Sequence, residues 1–350
     1  MSIYNLNNNL TKNYSKKTAF SLIELSVVVL IIGILIAGIT AGSRLVRNSK
    51  LASAAQFTKS SDVNSIPDLV LWLEPTQENS FAATSANTDT LTYANVAGLQ
   101  DSAYVKDTLR PDNRQYIARW NDISPRAVPG NKKSVYQETG SRRPMYIANA
   151  INGLPALEFN NFQYLYSQNN NTTPSAPPLV AGDKSATYIV VFSSSNSLES
   201  GHRTILDQFV GFSNNSIDGA EFGVAVGKNN NNLAIATWIP DIEDLGQIIQ
   251  MQPNIAITTL EDKIIQSSNN LTYCLNKLNC TKTNYETSGL NLSNNTFAVA
   301  ARAFSGDYTA SDRKFTGYIG EVMVFDRALK AEEIDTINKY LSKKWGIALK

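Results

Sequence analysis

The chain has 350 residues, 43% of them hydrophobic and 17% charged, with 31 Lys and Arg against 30 Asp and Glu. That balance, a formal net charge of +1, removes the electrostatic reason to expect nucleic acid or another polyanion as a partner. The length allows one large domain or two small ones, and a single histidine, His202, excludes a multi-histidine metal centre and leaves little for a Ser/His triad.

Met1 to Ala19 is polar and carries Lys12, Lys16 and Lys17. An apolar run follows from Phe20 to Ala41. Its about 22 residues would span roughly 33 Å as a helix, enough to cross a bilayer. Val27, Val28, Val29, Ile31 and Ile32 are β-branched and make poor helix in water. In lipid the backbone has to satisfy itself, so helix is the one open-chain solution. Glu24 is then the anomaly, because a lone carboxylate in hydrocarbon costs several kcal/mol. Arg44, Arg47 and Lys50 lie beyond the run, so the charge bias is not one-sided. A plain signal anchor and a secretory signal cleaved near Thr40-Ala41-Gly42 are the competing readings. Gly33, Gly38 and Gly42 read as membrane-helix packing positions.

The segment Ala19-Phe20-Ser21-Leu22-Ile23-Glu24-Leu25, preceded by Lys16-Lys17, closely resembles the leader and mature start of type IV pilins and type II secretion pseudopilins. The resemblance implies cleavage between Ala19 and Phe20 by a prepilin peptidase and N-methylation of Phe20. The family mostly has glycine before the cut; Ala19 keeps a small residue there. The resemblance also gives Glu24 a role in assembly, its carboxylate meeting the Phe20 amine of a neighbouring subunit. Paired, the two charges offset each other's desolvation; alone, each is expensive.

Gly42 to about Asp62 reads as an amphipathic stem, with Leu45, Val46, Leu51, Ala55 and Phe57 on an imperfect stripe. Pro67 ends any helix, because the residue before proline is pushed out of the α region. Three segments result: a leader at 1–19, a transmembrane and stem helix at 20–64, and a head at 65–350. Within the head, 69–73, 156–159, 187–192, 222–226, 233–238, 297–301 and 318–325 read as strands. Gly, Asn and Pro turns separate them, and the 222–226 and 233–238 runs read as a hairpin. Asparagine clusters such as Asn169 to Asn171 and Asn229 to Asn232 read as loop tips. Only Lys330 to Trp345 has a helical pattern, with Ile334, Ile337, Tyr340 and Leu341 on one face and Gly346 at its end. Cys274 and Cys280 are the two cysteines; in an exported domain they read as a disulfide closing a hairpin tip, contributing about 2 kcal/mol.

A second resemblance covers most of the head. Leu71-Trp72-Leu73-Glu74, Trp120-Asn121-Asp122-Ile123-Ser124, Arg143-Pro144 and Asn152 to Phe159 look like the early strands of bacterial laminin-G-like, concanavalin A-like jelly rolls. Gly317 to Leu329, followed by Glu332-Glu333-Ile334, resembles the closing strand and helix of that family. The fold implied is a long N-terminal α-helix, transmembrane plus stem, followed by an all-β jelly-roll sandwich with a short C-terminal helix.

That fold hosts lectins, adhesion modules and glycosidases, so chemistry has to be argued from residues. Glycosidases need two placed carboxylates. The Glu-x-Asp-x-x-Glu string of concanavalin-like glucanases is absent, and Glu321 stands alone in its strand. Asp241 to Asp244 reads as a solvated loop, and a catalytic His202 has no support. Tyr164 and Tyr166 either present an aromatic face to a sugar or pack a sheet; packing is preferred. No cofactor is expected. Some laminin-G-like domains bind calcium, which makes Asp207, Asp218 and Glu221 candidates by proximity in sequence alone.

The function expected is a non-enzymatic pilin-like subunit, minor or at the tip because the head is bulky. Its partners would be other pilin or pseudopilin subunits, the prepilin peptidase, the inner membrane, and a glycan or surface protein at the head. It would reside in the bacterial inner membrane, then in a periplasmic or cell-surface filament. The alternatives are a type II secretion pseudopilin contacting exported substrates and a surface-tethered enzyme acting on polysaccharide.

Overall fold

The computed structural model describes residues 21–81, 115–125, 133–160, 162–168, 176–179, 185–195, 203–209, 222–227, 233–234, 246–261, 271–283, 296–303 and 314–350. The chain divides into two compact units, Met1–Asn48 and Ser49–Lys350.

The first unit is the apolar part of helix α1 (Leu22–Lys59). Its large apolar side chains, from Leu22 to Val46, are exposed around the whole circumference of the helix. A helix apolar on every side belongs in lipid or in a bundle of other helices.

The second unit begins with the last turns of α1. Asn64 closes the helix: its side-chain Nδ2 donates to the carbonyls of Thr58, Lys59 and Ser61, two of them in the last turn of α1. A short 3₁₀ turn, Asp62–Ser65, follows, and Ile66 is extended ahead of Pro67 (φ −68°, ψ 123°).

Sixteen strands follow among the described residues. They are β1 (Leu69–Leu73), β2 (Gln115–Tyr116), β3 (Arg119–Trp120), β4 (Val135–Tyr136), β5 (Met145–Ile151), β6 (Leu154–Phe159), β7 (Leu165–Gln168) and β8 (Ala186–Ser194). Then come β9 (Arg203–Phe209), β10 (Phe222–Val226), β11 (Leu233–Ala234), β12 (Pro253–Leu260), β13 (Leu271–Leu275), β14 (Thr281–Thr283), β15 (Thr296–Val299) and β16 (Gly317–Phe325). One antiparallel sheet runs β14-β13-β12-β8-β16-β6-β5-β2, with β1 also paired to β16. The other runs β11-β10-β9-β15-β7-β4-β3. Helix α2 (Ala331–Trp345) ends at Gly346, whose φ of 64° suits a residue without Cβ.

The larger sheet is buried on both faces. Leu71, Leu73, Val190, Phe192, Val322 and Val324 point into the core between the sheets. Trp72, Ile189, Val191, Ile257, Met323 and Phe325 point the other way, under α2 and the end of α1, among Ala54, Ile334, Ile337, Leu341 and Trp345. Two-sided burial is why β8 and β16 read as continuous apolar runs and not as alternating strands. The β16 register shifts against β8 between Ile319 and Glu321. Gly320 lies in that irregularity, and a Cβ there would come within 2.5 Å of the Trp345 ring. The strand therefore admits a tryptophan from α2 directly onto its backbone.

The strands read from the sequence at 69–73, 156–159, 187–192, 222–226 and 318–325 all occur, the first and fourth with the same bounds and the others longer by one to three residues. β15 stops at Val299, because Ala300 has a φ of 66° and leaves the sheet. β10 and β11 pair as a hairpin; residues 228–232 and 235–240 lie outside the described residues. Strands β5, β9 and β12 have no counterpart among the runs picked out by sequence. Cys274 and Cys280 are joined by a disulfide across the β13–β14 turn, their Cα atoms 4.6 Å apart. The same loop holds the chain end, where Lys350 N donates to Asn276 O (2.8 Å).

Candidate functional site at the base of the head

The N-terminal segment presents Glu24 in the first turn of α1. Ser21 N donates to Glu24 Oε2 (2.9 Å), and Ile23 N donates to Ser21 Oγ (3.4 Å). Ser21 thus caps the helix start and Glu24 reaches back to Ser21 N, a local use of the carboxylate that sequence reading overlooked. Ala19 and Phe20 lie outside the described residues.

A second carboxylate cluster lies where the stem, β1, β16 and α2 converge. Lys344 points from α2 into the protein with its side chain fully buried. Its Nζ is 2.7 Å from Glu74 Oε1, just after β1, and 2.9 Å from Glu321 Oε2 on β16. It also donates to Thr58 Oγ1 in α1 (2.8 Å) and Tyr340 Oη (3.1 Å).

Glu321 accepts from four donors. Trp72 Nε1 (2.7 Å) and Tyr340 Oη (2.8 Å) reach Oε1. Lys344 Nζ (2.9 Å) and Trp345 Nε1 (2.7 Å) reach Oε2. Glu74 is held from its own turn: Thr76 N (2.8 Å) and the Thr76 hydroxyl reach Oε1, and Gln77 N (3.0 Å) reaches Oε2. Burial, then the neighbouring Glu321 and Glu74, pushes the Tyr340 phenol well above its ordinary range, so it stays a donor. Two carboxylates around one ammonium would be untenable in hydrocarbon without such saturation.

The network fastens the last turns of α1 to the head. Ala54, Ala55 and Thr58 are buried. Gln77 Nε2 donates to Ala55 O (2.7 Å), and Lys343 Nζ lies 4.8 Å from the centroid of the Phe57 ring.

The motif residues are also accounted for. Asp122 accepts from Trp72 N, Ser124 N and Ser124 Oγ, each at 2.9 Å, and Ile123 N donates to Trp72 O. Residues 121–124 therefore brace the edge of β1. Arg143 binds the carbonyls of Gln137 (2.8 Å) and Glu138 (3.1 Å), and burial lowers its pKa.

Asp207 is buried and accepts from Ala303 N (2.6 Å). Its fellow calcium candidates Asp218 and Glu221, like His202 and Asp241 to Asp244, lie outside the described residues. Among the described residues, no group of three or more His, Cys, Asp or Glu is placed to hold a metal. Tyr164 is buried, takes a hydrogen bond from Arg142 Nη1 (2.8 Å) and packs against Tyr166, whose ring is 4.5 Å from that of Tyr136. Packing, the preferred reading, is the arrangement found.

Sequence reasoning missed Lys344, Tyr340 and Thr58. A signal existed for Lys344, because it continues the stripe Ile334, Ile337, Leu341 that α2 buries.

Residues 14–40 match the prokaryotic N-terminal methylation motif. The chain carries a type IV pilin-type N-terminus. The motif supports a pilin- or pseudopilin-like subunit and implies processing by prepilin peptidase and assembly with other such subunits. Membrane anchoring followed by a periplasmic or extracellular filament is consistent with that motif and with the apolar helix.

Among curated proteins, nothing matches. Among solved structures, the chain is similar to Trypanosoma rangeli sialidase (12% identity, 81% of this chain and 34% of the sialidase, TM-score 0.43). It spans about a third of that chain's length. A GH54 α-L-arabinofuranosidase (11%, 83% and 65%, TM-score 0.49) is also similar. So is domain 4 of a GH43 extracellular arabinanase from Geobacillus stearothermophilus, in complex with arabinotriose (12%, 65% and 100%, TM-score 0.41).

Proposed function

We propose that the chain is a minor or tip subunit of a type IV pilus or related filament, with a non-catalytic head that recognises a glycan or a protein. The observation that carries this reading is the methylation motif at residues 14–40 in a chain whose second unit extends from Ser49 to Lys350. Identical heads of that bulk would strain close helical packing along a shaft, which favours sparse or terminal positions. The recognition role follows from the resemblance to laminin-G-like, concanavalin A-like jelly rolls. A structural role for the two carboxylates is supported by their burial and by the donors that occupy them. An acid or base in glycoside hydrolysis needs an oxygen open to substrate.

The motif is common to pilins and secretion pseudopilins, so both are tested together. Filaments sheared from cells are immunogold-labelled with antibody against the head. Labelling at ends or isolated points is expected. Continuous labelling along the shaft would make this the major subunit, and absence from surface filaments with retention in the periplasm would make it a pseudopilin.

A further inference from the structure

The Lys344 cluster places an amine, a carboxyl carbon and a second carboxylate in one water-excluding site. We propose that Lys344 and Glu74 condense to an intramolecular amide, Nζ to Cδ, with Glu321 carrying the protons. This goes beyond the filament reading and does not depend on it.

The structure holds the two reacting groups in contact. Nζ is 2.7 Å from Glu74 Oε1, and both side chains are fully buried. Holding two such groups in place replaces an encounter in solution with effective molarities of roughly 10⁵–10⁸ M. Thr76 N and Gln77 N donate to the two oxygens of Glu74, at 2.8 and 3.0 Å. Together they stabilise the charge that builds up there when the carbonyl carbon is attacked. Glu321 Oε2 is 2.9 Å from the same Nζ, so it touches the group that must lose protons. Buried Trp72 and Trp345, with the half-buried Tyr340, surround the site and limit the water that would drive the reverse hydrolysis.

The step balances without any oxidant, reductant or further reactant. The Lys344 ammonium gives one proton to Glu321, and the freed amine attacks Glu74 Cδ. A new C–N bond forms and one C–O bond breaks. Glu321 passes that proton, then a second one from nitrogen, to the departing oxygen, which leaves as water. The amide keeps one N–H, Glu321 is again a carboxylate, and the exchange removes one buried positive and one buried negative charge. The link would join the strand that follows the stem to the last helix, 270 residues apart.

Peptide mapping of the full chain, purified from membranes in detergent, tests this. Trypsin should yield residues 60–106 joined to residues 344–350 as one branched peptide, lighter than the sum of its parts by one water and uncut after Lys344. Glu321→Gln should return the two peptides unlinked. Free 60–106 and cleavage after Lys344 in wild-type protein with an intact melting transition would overturn the proposal. A link mapped to Glu321 would overturn the assignment of the acyl group, and a linked Glu321→Gln variant would overturn the proton-carrying role. Because the wild-type map decides whether the bond exists, a variant that fails to fold does not blunt the test.

Discussion

Glu24 and Glu321 are both carboxylates in apolar stretches, and the chain treats them in opposite ways. Glu321 is surrounded by Trp72, Tyr340, Trp345 and Lys344, all supplied by the same chain. Among the described residues, Glu24 receives Ser21 N and nothing else, on a stretch of helix whose large apolar side chains, from Leu22 to Val46, are exposed. One carboxylate is finished by folding. Among the described residues the other meets no cation, and an unpaired carboxylate in an apolar setting is expensive.

The sharpest way to break this comparison is Lys344→Met. Glu74 and Glu321 would stay buried with neither a cation nor a link to Lys344, at a cost of about 3–5 kcal/mol by denaturant unfolding. A loss below about 1 kcal/mol would mean that the pair reaches solvent and is no more self-sufficient than Glu24.

Next is the stem. A chain starting at Ser65 lacks Thr58, Ala54 and Ala55, and should be less stable than one starting at Ser49 by about 2 kcal/mol or more, since a hydrogen bond to a charged group and apolar contacts both go. Equal denaturation midpoints would show that the stem is appended to the head and not part of it.

Glu24→Ala should lower incorporation into sheared filaments roughly tenfold, equivalent to ~1.4 kcal/mol, while the melting temperature of the head is unchanged. The loss should persist at high salt, because a pair desolvated in a helix core is weakly screened. Wild-type incorporation would leave Glu24 with its capping role alone.

The smallest effect concerns Arg327, which binds Glu333 on α2 (2.8 Å) and Asp68 before β1 (3.0 Å). Arg327 holds the Glu333 carboxyl below its ordinary 4.5. A depressed carboxyl adds stability that is full above the unfolded value and is lost as pH falls through the folded one. Both side chains are about one-fifth exposed, so the gain is under about 1 kcal/mol. Glu333→Gln should melt slightly lower than wild type at neutral pH, and the difference should shrink as pH falls below the ordinary carboxylate range and Glu333 takes up its proton. A difference that persists in acid would assign the effect to packing.

The long helix, its membrane-compatible face and the methylation motif were legible in the sequence because each is local and periodic. The apolar strands β1, β8 and β16 were legible for the same reason. The disulfide followed from two cysteines six positions apart in a segment read as exported. The charge network was not legible. Thr58, Glu74, Glu321, Tyr340 and Lys344 come from four separate parts of the chain, and nothing in their spacing brings them together. Glu321 stood alone in its strand, whereas in space it shares one ammonium with Glu74. The sequence by itself determined which elements form, since helical and strand patterns are written in neighbouring residues. Only the tertiary structure decided which buried charges meet, because that depends on how β1, β16, α2 and the end of the stem converge on one point.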